Sequence, residues 1–499
     1  MKVPSGMPIT PKEWEQTPLT VKAVVITLFE ENQVLKRRIA ALESQVKSLQ
    51  AEVEKLKEQV NKTSHNSSKP PSSDPPGTPP KPRRERGKRP RGGQKGHKGS
   101  GRKLKPIESV DRVVVSKPIS CEECGCILLG NDPTPNRHQV TEIPKIKPQV
   151  IEYQQHTLRC LACGEENQAD WPSEMPTGSF GERVQALIGY MSGRFGVSKR
   201  DTEEMLEDIY GVEISLGSIP AQERRVSQAL KAAVGDAQEY VRQQSVTNVD
   251  ETSWYQINEK YWLWVSVTAH VTVFKIFPTR GASGVDGLLG QDYAGMVGSD
   301  RYSAYNHLDT ERRQSCWSHL IRDFQALVDR GGQSQIVGRL LLAQVERMFI
   351  LWYRVRDGTL SRSDFQIAMR PVRHEVHCLL HIGASLKHLK TRKTCLNILK
   401  IEQALWTFVD IEGVEPTNNA AERALRRAVL WRKRSFGTQS QAGSRFAERI
   451  LTVIITLRQQ KRNVLDFLTA ACIAYSSGQP APSILPVDSV VAFHLCPTN

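Results

Sequence analysis

The chain has no apolar run of eighteen or more residues, which excludes an ordinary membrane-spanning helix. Its opening, MKVPSGMPITPKEWEQ, lacks the charged and apolar regions of a secretory signal, so the expected location is cytoplasmic. Cysteine is present, ten residues in 499, but not as the dense framework of a small disulfide-stapled domain. Acid is in deficit, with 53 Asp and Glu against 68 Lys and Arg and a formal charge of +15. A chain of this length has room for roughly two to four domains.

The positive charge is unevenly spread. Residues 81–105, KPRRERGKRPRGGQKGHKGSGRKLK, hold twelve Lys and Arg and one Glu, a net +11. As structure this is a solvated tail, but its density suits a polyanion, because each neutralised phosphate releases condensed counterions.

Residues 25–60 carry a heptad repeat. Leu28, Leu35, Leu42, Leu49 and Leu56 recur every seven residues, with Val25, Asn32, Ile39, Val46, Val53 and Val60 at the companion positions. β-Branched residues at a with Leu at d favour a parallel dimer, and one Asn at a fixes register. Glu31 with Lys36, Arg38 with Glu43, and Glu52 with Lys57 have opposite signs across such a pair. A lone amphipathic helix would not need them, so a homodimer or higher assembly is expected. The repeat ends at NKTSHNSSKPPSSDPPGTPPKPRR, a proline-rich linker that cannot continue a helix.

Two cysteine pairs, Cys121-x-x-Cys124 and Cys160-x-x-Cys163, are 35 residues apart, with Cys126 near the first. Such pairs can offer four thiolates to Zn²⁺ in a closed structural site. The alternative is four unlinked thiols, with no reason for two CxxC turns. The flanking DRVVVS and PQVIEYQQHTLRC read as strands, which gives a zinc-ribbon-like β module.

From 180 to 245 the periodicity is helical, with breaks at FGVS and YGVEISLGS. Short helices joined by glycine turns resemble a helix-turn-helix, as do many all-α segments. SVTNVDETSW, KYWLWVSVTAH, VTVFKIFP and AGMVGSDRYSAYN then read as strands, and the stretch from CWSHLIRDFQALV to about residue 410 as helices. Strands followed by helices describe an α/β or α+β catalytic domain with a helical insertion.

Asp250 is read as ending the first of these strands and Asp300 the fourth. A carboxylate at the end of an apolar strand is costly unless it pairs or binds a cation. Glu422, in PTNNAAERALRR, is placed to add a third carboxylate from a helix that Asn418 and Asn419 would start. Hard oxygen ligands of this kind select Mg²⁺ or Mn²⁺, and the arrangement on a mixed sheet resembles the ribonuclease-H-like fold. Spacing alone does not decide it, because Glu251, Asp292, Glu412 and Glu415 compete for the role. Arg423, Arg426, Arg427, Arg432, Lys433 and Arg434 follow on the same helix or just beyond and are expected to meet DNA phosphates.

HNSSKPPSSD, GQKGHKG, the paired cysteines, DET at 250–252, SDRYSAYN at 299–306, CWSHLIRDF at 316–324 and NNAAERALR at 418–426 together resemble the insertion-sequence-66 family of DDE transposases. The resemblance covers nearly the whole chain. Arg301 stands where that family often has Gly.

The resemblance implies catalytic acids at Asp250, Asp300 and Glu422, with Mg²⁺ or Mn²⁺. The implied partners are DNA, as element terminal repeats and target, and small accessory proteins. It also implies a nucleoid-associated bacterial location. His319 and Arg322 are implied positioners of phosphate or hydroxyl, although a core histidine fits equally. The expected activity is DNA cleavage and strand transfer. A DNA-binding regulator without catalysis, or a nuclease without joining, are the alternatives.

The expected layout has an N-terminal segment 1–62 with the coiled coil, a disordered linker 63–105 and a zinc module 106–175. A helical DNA-binding segment 180–243 follows. The catalytic core takes 245–325 and 411–475, with the helical insertion at 326–410 and a tail at 476–499.

Overall fold

In a computed structural model, the structure describes residues 3, 7, 9–60, 103–173, 175–176 and 178–486. The expected linker and most of the basic run lie outside the described residues. The chain divides into two compact units, Met1–Lys81 with Trp317–Glu402, and Pro82–Cys316 with Gln403–Asn499.

In the first unit a capping box between Thr10 and Glu13 opens α1 (Pro11–Gln16). The heptad segment then forms one helix, α2 (Leu19–Val60), about 60 Å long at 1.5 Å per residue. Among its core-position leucines, Leu28, Leu42 and Leu49 are each 59% exposed and Leu35 is 54% exposed on the single chain.

The cysteine-bearing segment is mostly unpaired extended chain, with β1 (Thr157–Arg159) and β2 (Glu166–Gln168) as an antiparallel pair and one antiparallel bridge between Ser120 and Ile127. The expected strand DRVVVS is not paired. Its Val113, Val114 and Val115 are exposed, so no apolar burial fixes it there.

Next come α3 (Glu182–Tyr190), continued by a π-turn at Met191–Phe195, and α4 (Lys199–Tyr210), α5 (Ser218–Ala229) and α6 (Lys231–Arg242). Both expected breaks are left-handed glycine caps. Gly196 and Gly211 have φ of +65°, and Val197 and Val212 donate back to the carbonyls of Met191 and Leu206. Ile188, Leu206, Ile214 and Ile219 form the small core among these helices.

The alternating runs become β3 (Val246–Gln256), β4 (Glu259–Val267) and β5 (Thr272–Phe277), followed by α7 (Ala282–Leu289), β6 (Met296–Ser299) and β7 (Arg313–Ser315). The sheet order is β5-β4-β3-β6-β7; β3, β4 and β5 pair antiparallel, and β6 and β7 join parallel to β3. A two-residue turn links β3 to β4, with Ile257 and Asn258 at positive φ, as a primed hairpin turn requires.

The first unit resumes with α8 (Trp317–Asp329), α9 (Gly332–Arg356), α10 (Arg362–Ser385) and α11 (Leu389–Leu399). The helical insertion thus groups from Trp317, which includes the CWSHLIRDF helix expected with the core, and ends at Glu402. The second unit closes with α12 (Thr407–Asp410), α13 (Asn419–Ser435), α14 (Gln441–Gln459) and α15 (Val464–Ser476). The expected tail is packed at its start, where Ile484 and Leu485 are buried in the main core.

The two faces of the sheet are covered differently. One buries Trp254, Leu263, Val265 and Phe274 under Ala421, Ala424, Leu425 and Ala428 of α13 and Ala447 and Leu451 of α14. The alanines let α13 lie close to the strands. The other face carries Val249, Trp264, Val273 and Val297 in a core with residues of α6, α7 and α15.

The exposed backbone of edge strand β5 is capped by side chains. Phe274 N–H donates to Thr452 Oγ1 at 3.0 Å, Thr272 N–H to Thr456 Oγ1 at 3.0 Å, and Ile276 N–H to Glu448 Oε1 at 2.6 Å. Alternate strand residues advance about 6.6 Å and four helical residues about 6 Å, so one face of α14 matches the strand. Sheet edges left open invite pairing with other chains. Thr452→Val keeps the volume but leaves the buried Phe274 N–H unpaired. It should cost about 1–3 kcal/mol, read as a lower thermal midpoint with an unchanged fold by circular dichroism.

Candidate metal centre

Asp250 lies within β3, not at its end, because the pairing with β4 continues to Gln256. The parallel register runs Val246↔Met296 to Asn248↔Gly298. Past the last paired residues, β3 continues to Asp250 while Asp300 immediately follows β6, so both acids lie at the same end of this strand pair. Asp250 shares its β3 face with Trp254, the face that α13 covers. Glu422 sits in the first turn of α13.

Burial is the main cause that holds the Asp250 carboxyl well above the usual carboxylate range. The charges of Glu251 and Asp300, and then Glu422, push it further, so both other predicted acids act on Asp250. The Glu251 N–H fixes one oxygen of Asp250 at 2.9 Å, and the Tyr302 N–H fixes one of Asp300 at 2.8 Å. The loop after Asp300 is held by buried Arg313, which donates to the carbonyls of Asp300 and Tyr305 at 2.9 and 3.2 Å. Arg301 is not at positive φ, so the loop does not need glycine there.

The competing acids separate from this group. Glu251 points to the other face, where it pairs with Arg280 at 2.8 Å and accepts the Tyr305 hydroxyl at 2.5 Å. Asp292, Glu412 and Glu415 are exposed.

Asn418 starts α13 as expected, but not through its side chain, which makes no cap hydrogen bond. Its Nδ2 reaches the Val249 carbonyl at 3.4 Å, next to Asp250, and its backbone N–H meets Cys316 Sγ at 3.4 Å. Asn418 Oδ1 is buried with no hydrogen-bond partner. A buried orphan acceptor costs about 1–3 kcal/mol unless a cation or its water meets it. Among the described residues, however, the oxygens of Asp250, Asp300 and Glu422 are not gathered within 4.8 Å of one another, whereas Glu422 lies within that distance of Cys316 Sγ.

Arg432 is also not where the helix pattern suggested. It is pinned to β3 through Thr252 and Ser253, whereas Arg423, Arg426, Arg427, Lys433 and Arg434 are exposed. His319 and Arg322 lie three residues apart on α8 in the other unit.

The cysteine pairs form matching turns. Gly125 N–H donates to the Cys121 carbonyl at 2.9 Å and Gly164 N–H to the Cys160 carbonyl at 2.8 Å, with both glycines at positive φ. Backbone N–H bonds from Cys124 and Glu123 hold the Cys121 thiol below its ordinary range, and those from Cys163 and Ala162 do the same for Cys160. Each turn therefore favours a thiolate, the form that binds zinc. Among the described residues, however, the sulfurs of the two turns are not gathered within 4.8 Å.

The charge on Asp250 has a measurable consequence. A folded-state pKa raised above the unfolded value means the protonated form is the one that folding favours. That contribution is full below the unfolded pKa and is lost as pH rises through the folded one. In metal-free buffer Asp250→Asn should therefore be more stable than wild type near neutral pH, by about 2–4 °C in thermal midpoint per kcal/mol relieved. The gap should close as pH falls to the ordinary carboxylate range. Mg²⁺ should stabilise wild type and not the variant.

The chain belongs to the IS66 transposase family, whose family model matches residues 177–446. A second model, for a family of unknown function, matches residues 17–103. The uncharacterized protein y4qI of Sinorhizobium fredii is 24% identical over 432 residues, covering 79% of this chain and 77% of its own. The uncharacterized protein y4hP of the same organism is 24% identical over 388 residues, covering 70% and 69%. Among the described residues no helix is long and apolar enough to cross a membrane.

Proposed function

We propose that this protein is a DNA transposase that cuts at the ends of an insertion element and joins the 3′ hydroxyls to target DNA. Its catalytic acids in this reading are Asp250, Asp300 and Glu422. The observation that carries it is that the charges of Asp300, just after β6, and of Glu422, on the covering helix, both act on buried Asp250 in β3. The strand order, with β4 alone reversed, supports a ribonuclease-H-like core.

The three carboxylates would hold Mg²⁺ or Mn²⁺, which when bound in pairs activates an attacking oxygen and stabilises a leaving one in phosphoryl transfer. The chain's own part is to orient. Backbone N–H groups fix Asp250 and Asp300, Arg313 sets the loop after Asp300, and Asn418 ties the start of α13 to β3. Exposed Arg423 and Arg426 supply charge for phosphates on the same helix as Glu422.

In the same reading the two cysteine turns close on one Zn²⁺ that holds a segment otherwise poor in buried apolar surface. The exposed heptad face of α2 pairs with a second copy, and the basic run and the α3–α5 helices engage DNA. The test uses full-length protein and pre-cleaved element ends, with nicking and joining scored separately. Mg²⁺-dependent nicking and joining are expected. Nicking alone would make it a nuclease, and binding with neither would make it a regulator.

A further inference from the structure

Away from the carboxylates, the turn after α3 and the turn between α13 and α14 enclose a groove of about 490 Å³. This is within the roughly 300–1,000 Å³ of small-molecule sites. Trp431 and Phe446 form its apolar wall, and Lys199, Arg224 and Arg434 supply three cations. The one lining carboxylate, Glu223, pairs with Lys199. The Ser192 hydroxyl lines the groove, is buried, and has no hydrogen-bond partner.

Between the lining residues Ser435 and Gly437 stands Phe436, 78% exposed and at a φ of +57°. This is the position after α13 where glycine is the usual occupant. An aromatic ring held in left-handed backbone and turned to solvent gains nothing from packing. Arg194, on the adjoining turn, has its pKa lowered by burial and then by the charges of Arg427 and Arg458, so guanidinium groups crowd beside the groove. Arg434 donates to the Phe195 carbonyl at 3.1 Å, which anchors its side chain across the two turns.

An exposed ring beside several cations is a stacking platform for a base that is not paired, with the charges tracking its backbone. Interior duplex bases are stacked on both faces and cannot lie on such a ring, and a blunt end offers only its outermost pair. We propose that one unpaired nucleotide of the DNA substrate binds here, its base on exposed Phe436, which flanks the groove without lining it, and its phosphate held in the groove by Arg224 and Arg434. The proposal rests on the DNA-processing reading above, but none of its residues belongs to the carboxylate centre.

The test measures binding of the full-length protein by fluorescence anisotropy to a blunt duplex and to the same duplex with a short single-stranded extension. The extension should raise affinity by about tenfold. Phe436→Gly should remove that advantage while leaving blunt-duplex binding within about twofold and thermal stability equal or higher, because glycine suits the backbone. Arg224→Ala with Arg434→Ala should also remove the advantage. Equal affinity of wild type for both DNAs would overturn the proposal, as would an advantage that survives in Phe436→Gly. Absence of binding to either DNA would overturn it together with the transposase reading, whereas binding without preference would leave that reading intact.

Discussion

Glu422→Gln should abolish Mg²⁺-dependent cleavage and joining, by on the order of 10³-fold or more, while DNA binding stays unchanged or tightens slightly. Gln keeps the shape of the side chain and removes its charge, so a loss of this size reports on the charge. The position gives the reason. Glu422 is in the first turn of a helix whose alanine face lies on the sheet, within electrostatic reach of Asp250. Binding is spared because one charge that repels phosphate is gone. Asp250→Asn and Asp300→Asn should behave alike, whereas Glu412→Gln and Glu415→Gln, at exposed positions, should remain active. If Glu422 were only a surface charge, its replacement would be nearly silent in both assays.

The second large effect is expected in the cysteine segment. Cys121→Ser with Cys124→Ser should release bound zinc and unfold residues 106–175, seen as new protease cleavage there, while the sheet and its helices stay folded. The segment buries little: Ile119, Leu129, Val140 and Val150 are each more than 80% exposed. A segment with so little hydrophobic core relies on a staple, and metal binding free energy then becomes folding free energy. Elemental analysis that finds no zinc in the purified wild-type protein would end this account of the cysteines.

The parts of the molecule legible in its sequence are those governed by local patterns. The four runs rich in β-branched and aromatic residues became β3 to β6, and the expected glycine-containing breaks fall at Gly196 and Gly211, both in left-handed backbone. β7 was not legible, because Arg313, Gln314 and Ser315 contain no apolar residue and are nevertheless buried. Their burial depends on distant partners, such as Gln314 with the Leu405 carbonyl and the Phe408 N–H. Asp250 looked like a strand end because an acid inside an apolar strand is costly. The cost is tolerable only in a site that gathers acids, which no local rule reveals. Asn418 was assigned by residue type to a cap, but a contact 169 residues away, to Val249, fixes its amide instead. The groove beside Phe436 was invisible for the same reason, since its walls come from turns far apart in the chain.

The central claim is that Asp250, Asp300 and Glu422 together hold the divalent ion. The most direct measurement is Mn²⁺ binding to the full-length protein, followed by electron paramagnetic resonance, in wild type and in the three single amide variants. The account predicts saturable binding in wild type that Mg²⁺ displaces, and loss or strong weakening of it in each of Asp250→Asn, Asp300→Asn and Glu422→Gln. Undiminished Mn²⁺ binding in Glu422→Gln, in a protein shown to be folded, would contradict it.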